Sequence, residues 1–88
     1  MNCTEGMIAI SLLGHDKGSF YIITKACDEC VYLADGRIRK LARPKRKNIK
    51  HIQLVKTIPD VIAEKLKNGA LTDADVIYAL RTWRTANV

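Results

Sequence analysis

Hydrophobic positions in the first half of the chain recur with a period of two. Ile8, Ile10 and Leu12 alternate against Ala9, Ser11 and Leu13, which predicts a first strand that Gly14 ends. The loop Gly14-His15-Asp16-Lys17-Gly18 leads into a second apolar run at Phe20-Tyr21-Ile22-Ile23-Thr24, so two strands flank a tight connection. Cys30-Val31-Tyr32-Leu33-Ala34 is a third strand rich in β-formers. Asp35-Gly36 after it is a two-residue hairpin signal and predicts a fourth strand from Arg37 to Leu41. On that strand Arg37 and Arg39 share an outward face, whereas Ile38 and Leu41, three apart, reach the core together only through a bulge or twist. Pro44 cannot donate to a ladder, so Arg43 to Lys50 reads as an exposed connection to a fifth strand at His51-Ile52-Gln53-Leu54-Val55.

After Lys56 the period lengthens to that of helices. Ile58, Ile62 and Leu66 recur every four residues, with Pro59 suited to a first turn and Asn68-Gly69 to a stop, which predicts a short helix. A second helix opens at Thr72, whose spacing to Asp75 is that of a capping box, although such boxes prefer Glu or Gln at the later position. Val76, Ile77, Leu80 and Trp83 form its apolar stripe, with Trp83 expected as a core anchor. Phe20, Tyr21 and Tyr32 are expected in the core as well. The expected fold is mostly β with C-terminal α: a small barrel of about five strands over residues 1–56, then a helical extension over 57–88 packed on or beside it.

Charge changes this from a generic fold into a candidate for binding. The chain of 88 residues carries 15 Lys and Arg against nine Asp and Glu, a formal charge of +6. Eight of those cations lie between Arg37 and His51, where there is no acid; the remainder of the chain is slightly acidic. A local basic block favours a polyanion. No apolar stretch is long enough to span a bilayer and Met1 to Gly6 does not read as a secretory signal, so a cytoplasmic protein is expected. Three cysteines, an odd number, fit reduced thiols better than a secreted disulfide framework.

The loop Leu13-Gly14-His15-Asp16-Lys17-Gly18 between two apolar strands resembles the KOW motif of ribosomal and transcription proteins. The later run Leu33-Ala34-Asp35-Gly36-Arg37-Ile38-Arg39-Lys40-Leu41, followed by Arg43-Pro44-Lys45-Arg46-Lys47-Asn48-Ile49-Lys50-His51-Ile52, is similar to bacterial KOW-domain RNA-binding proteins related to a eukaryotic and archaeal large-subunit ribosomal protein family. The resemblance covers about Gly6 to Leu54. It implies an SH3-like barrel that binds RNA, associated with ribosomes or other structured RNA, and it names no catalytic residue. Two positions depart from the pattern: His15 stands where an Arg is expected, and Cys27 and Cys30 flank a turn usually filled by ordinary polar residues.

The expected RNA-binding residues are Lys17, Arg37, Arg39, Lys40, Arg43, Lys45, Arg46, Lys47, Lys50 and His51. Their cations would neutralise phosphates and release counterions, which makes affinity salt-dependent; changing Arg43, Lys45, Arg46 and Lys47 together to Gln would shrink the log-log slope by roughly 2 to 4 units. No aromatic lies between Arg37 and His51, so docking on folded RNA by backbone and shape is expected over stacking of single-stranded bases. Ribosomal proteins are further expected partners; no membrane, small-molecule substrate, cofactor or metal is expected. The chain shows no P-loop and no nucleophile-base pair, so no enzyme is expected. Two alternatives stay open: a protein-interaction or redox- or zinc-regulated adaptor using the Cys27-Asp28-Glu29-Cys30 pair and the helical tail, and a DNA-binding transcription accessory module. Against the first, the two acids between the thiols would raise the thiol pKa rather than activate the sulfur.

Overall fold

The computed structural model describes residues 3–87. Among these residues there are five strands: β1 (Ile8–Ser11), β2 (Phe20–Ala26), β3 (Cys30–Ala34), β4 (Lys45–Asn48) and β5 (Ile52–Val55). A single 3₁₀ turn at Ile49–His51 joins the last two, and helices α1 (Asp60–Lys67) and α2 (Asp73–Asn87) follow. All pairings are antiparallel in the order β4-β3-β2-β1-β5.

That order requires curvature. In a flat sheet β4 and β5 would lie four strand spacings apart, about 19 Å. The three-residue 3₁₀ turn between them advances only about 2 Å per residue. The sheet therefore curls until its two edges approach. The turn is bonded to both sides of the curl: Ile49 N–H donates to the Glu29 carbonyl at 3.0 Å, and the His51 carbonyl accepts from Leu12 N–H at 2.9 Å. Part of the bend comes from a bulge in β2, where Ile23 pairs with Leu33 but Lys25 with Tyr32, leaving Thr24 over; its hydroxyl donates to the Tyr32 carbonyl at 3.2 Å.

Alternation along the curled sheet makes two cores. Ala9, Tyr21, Ile23, Val31, Leu33 and Ile52 fill the concave side. Ile8 and Ile22, on the convex side, join Ile62 of α1 and Val76, Ala79 and Leu80 of α2 in a second cluster. Sheet and helices thus share a core, and the inner strands are buried on both faces.

The helices follow their sequence signals. Ile58, Ile62 and Leu66 close on Gly6, where a Cβ would stand 3.0 Å from Ile58 and Leu66, so the four-residue stripe packs where the chain enters β1. Trp83 is half-buried with its ring 5.4 Å from that of Phe20. The capping box forms despite the shorter acid: Asp75 N–H donates to Thr72 Oγ1 at 3.2 Å, and Asp75 Oδ2 accepts from Thr72 N–H at 3.0 Å. The Thr72 N–H first, and then the Thr72 hydroxyl, which donates to Asp75 Oδ2 at 2.9 Å, hold the Asp75 carboxyl below its ordinary range. Thr72→Ala is expected to lower the melting temperature by about 5 °C, read by thermal unfolding.

The expected fourth strand from Arg37 to Leu41 is not a strand. Asp35 Oδ1 accepts from the N–H groups of Arg37 and Arg39, both at 2.9 Å, and the Asp35 and Gly36 N–H groups donate to the Arg39 carbonyl at 2.9 and 3.1 Å, which folds the segment into a small loop. Ile38 sits at its tip, 85% exposed, and so belongs to no core. β4 lies instead at Lys45–Asn48, within the stretch expected as a connection; Pro44 precedes the ladder, where its missing N–H costs nothing. β1 also ends at Ser11, leaving Leu12 and Leu13 exposed. No helix among the described residues is long and apolar enough to cross a membrane.

Candidate nucleic-acid interface

The block from Arg37 to His51 divides according to the direction its side chains take. On β4, Lys45 pairs with Leu33 and Lys47 with Val31, both concave-side residues, so these two lysines point inward. Arg46 and Asn48 point out, opposite Tyr32 and Cys30.

The inward pair meets Asp16. The loop between β1 and β2 turns its carboxylate into the mouth of the curl, where Oδ1 accepts from Lys47 Nζ and Ser11 Oγ, both at 2.8 Å. Oδ2 accepts from the Tyr21 hydroxyl at 2.7 Å and from Lys45 Nζ at 3.0 Å. Lys47 also donates to Ser11 Oγ and the Leu13 carbonyl, each at 2.7 Å, so all three ammonium donors are used on the protein itself. Burial alone would push the Asp16 carboxyl up, but the hydrogen bonds from Lys47, Tyr21, Lys45 and Ser11 outweigh it and hold the group well below the usual carboxylate range. Burial and then the bond to Asp16 push the Tyr21 phenol up. The arrangement is a satisfied internal clamp that ties the first loop to the edge strand.

The remaining expected contact residues face solvent. Lys17, Arg37, Arg39, Lys40, Arg43, Arg46, Lys50 and His51 are exposed. None of them forms a salt bridge among the described residues, where the ion pairs are those of Lys45, Lys47 and Lys65. Arg37, Arg39 and Lys40 ride on the loop closed by Asp35, and that loop is pinned to α2 by Leu41 N–H donating to Asp73 Oδ1 at 2.8 Å. Lys50 and His51 ride on the 3₁₀ turn, whose start is held by Asn48 Oδ1 accepting from Lys50 N–H at 2.8 Å.

Tyr32 is not a core residue. It is half-buried on the convex face, next to Arg46 in register and with the Lys25 ammonium 5.9 Å from its ring. No aromatic stands within the basic segment itself; this one arrives beside it from the neighbouring strand. Arg81 and Arg84 of α2 also escape a reading of charge along the chain. They lie in its slightly acidic remainder, yet they line a cleft together with Arg37.

The Cys27 N–H donates to the Cys30 carbonyl at 2.8 Å and closes the β2–β3 turn. The Cys27 thiol is exposed and its pKa is raised, chiefly by its hydrogen bond with Cys30. The expected direction holds for Cys27, but the cause is the partner thiol rather than the intervening acids. Among the described residues no group of three or more His, Cys, Asp or Glu is placed to hold a metal.

The chain matches no protein-family model, and no curated protein is significantly similar to it.

Proposed function

We propose that the chain is a non-enzymatic, cytoplasmic RNA-binding domain whose curled sheet is an SH3-like barrel of the KOW type, acting on ribosomal or other structured RNA. The observation that carries this reading is the set of exposed cations on the Asp35 loop, β4 and the 3₁₀ turn, none of which has an acidic partner among the described residues. Such charges are free to replace counterions on a phosphate backbone. Their supports are tied down by Asp35, Asp73 and Asn48, so little loop freedom is lost on docking. Arg46 beside Tyr32 adds a place where an unpaired base at the edge of a folded RNA could stack.

Lys45 and Lys47 serve the fold in this reading, and the contact residues are Lys17, Arg37, Arg39, Lys40, Arg43, Arg46, Lys50 and His51. The test is affinity for a structured RNA against salt, for the wild type and for Arg39→Gln/Arg43→Gln/Arg46→Gln. The slope is expected to shrink by about 2 units, at about 0.7 to 0.9 for each phosphate no longer neutralised. An unchanged slope, with the fold intact by circular dichroism, sinks the assignment. Duplex DNA of matched charge is the competitor, and its preference over RNA would favour a transcription accessory role.

A further inference from the structure

Between the Asp35 loop and the exposed side of α2 lies a cleft of about 250 Å³. Its walls carry three guanidinium groups, Arg37 from the loop and Arg81 and Arg84 from α2, over an apolar floor that includes Phe20 and Leu80. The helical pair is three residues apart, the spacing that puts two side chains on one face. Arg84 lies over the Phe20 ring, its guanidinium carbon 5.7 Å from the centroid, within cation–π range. None of the three arginines forms a salt bridge among the described residues. Among the described residues Asp35 is the one acid lining the cleft, and its Oδ1 is already engaged by two backbone N–H groups of its own loop.

We propose that this cleft holds a backbone phosphate of the bound RNA, so that α2 is part of the binding surface. The inference rests on the RNA-binding reading and adds a second element to it. Three guanidinium charges against the single Asp35 carboxylate leave the cleft net positive, and an anion there offsets the surplus. Guanidinium is the group suited to it, because its planar fork takes phosphate oxygens two at a time. Arg37, which lines the cleft, shares its loop with Arg39 and Lys40, so the cleft borders that patch and lies within reach of a strand docked on it. The cavity is larger than a phosphate alone, which fits a phosphate still attached to its sugars.

The experiment titrates a structured RNA into the wild type and into Arg81→Gln/Arg84→Gln, measuring affinity across salt and following the Arg side-chain Nε–Hε resonances by NMR. The expected result is a slope smaller by about 0.7 to 0.9 units in the variant, the share of one phosphate, and Nε–Hε signals of Arg37, Arg81 and Arg84 that move with RNA in the wild type. Arg81→Gln alone leaves the Arg84–Phe20 contact in place and is expected to lose part of that slope and to weaken the RNA-induced movement of the Arg37 and Arg84 signals, which supplies the readout should the double variant unfold. RNA binding with an unchanged slope and unmoved Arg signals overturns the cleft and leaves the RNA-binding reading standing. Failure of the wild type to bind RNA removes both. Inorganic phosphate titrated alone is the remaining arm; signals that move with it and are not displaced by RNA would overturn the assignment to an RNA phosphate.

Discussion

Asp16→Ala is expected to destabilise the domain by about 3 to 5 kcal/mol, because it leaves the buried Lys47 ammonium without its counter-charge. The side chain of Lys47 is 9% exposed, and Ser11 and the Leu13 carbonyl alone cannot neutralise it. A loss of that size consumes a large share of what a domain usually has, and with about 4 to 8 °C per kcal/mol the melting temperature should fall by at least 12 °C. The double variant Asp16→Ala/Lys47→Met removes both buried charges and should recover much of the loss, since an apolar pair in place of a buried ion pair is often neutral. Equal destabilisation of the single and double variants would show that the ion pair is not what holds the loop to β4.

The same carboxylate sets an acid dependence. Asp16 in the folded chain is held well below the roughly 3.9 of an unfolded Asp, so at low pH the unfolded chain binds the proton first. Its contribution is complete above about pH 5 and is lost as the pH falls through 4 and below. Asp75, lowered by its bonds to Thr72, adds a slope of the same sign. Urea midpoints between pH 6 and 2 should therefore fall steeply in the wild type and less steeply in Asp16→Ala, where the Asp75 part remains.

The positions of the first three strands and both helices are legible in period and punctuation, because burial there is local and repetitive. The fourth strand is not. Asp35-Gly36 is a hairpin signal when those two residues form the turn and a strand follows at once, but here the Asp35 and Gly36 N–H groups both donate to the Arg39 carbonyl while Asp35 Oδ1 takes the Arg37 and Arg39 N–H groups, which builds a wider loop. The true strand, Lys45-Arg46-Lys47-Asn48, has no apolar residue, so its alternation is silent in hydropathy and is revealed only by what the two faces meet. The basic block is plain as charge, yet charge does not say which way a lysine points. Lys45 and Lys47 stand in one run with Arg43 and Arg46, and only the pairing with Leu33 and Val31 turns them onto Asp16, 29 and 31 residues away in sequence. Changing Lys45 and Lys47 with Arg43 and Arg46 would therefore confound weaker binding with a weaker fold.

Gly36→Ala should be the second most damaging of these substitutions, at about 3 kcal/mol or more, with roughly 1 to 2 of that from placing a side chain on a left-handed backbone. Gly36 has φ of +82°, and a Cβ there would stand 2.5 Å from the Asp73 carbonyl oxygen and 2.8 Å from the Ile77 side chain. The oxygen belongs to the first turn of α2 and cannot swing aside, so the loop must lift from the helix. Lifting it breaks the bond from Leu41 N–H to Asp73 Oδ1 and moves Arg37 away from Arg81 and Arg84. Gly69→Ala is the matched control: its φ is +66°, but among the described residues nothing lies within 4 Å of the added carbon, so it should cost the backbone share alone. Chemical unfolding of the two variants separates the contributions, and equal losses would mean that the loop does not pack on α2 as described. Because the displaced loop carries Arg37, Arg39 and Lys40, Gly36→Ala should also weaken RNA binding under conditions where it is still folded, whereas Gly69→Ala should not.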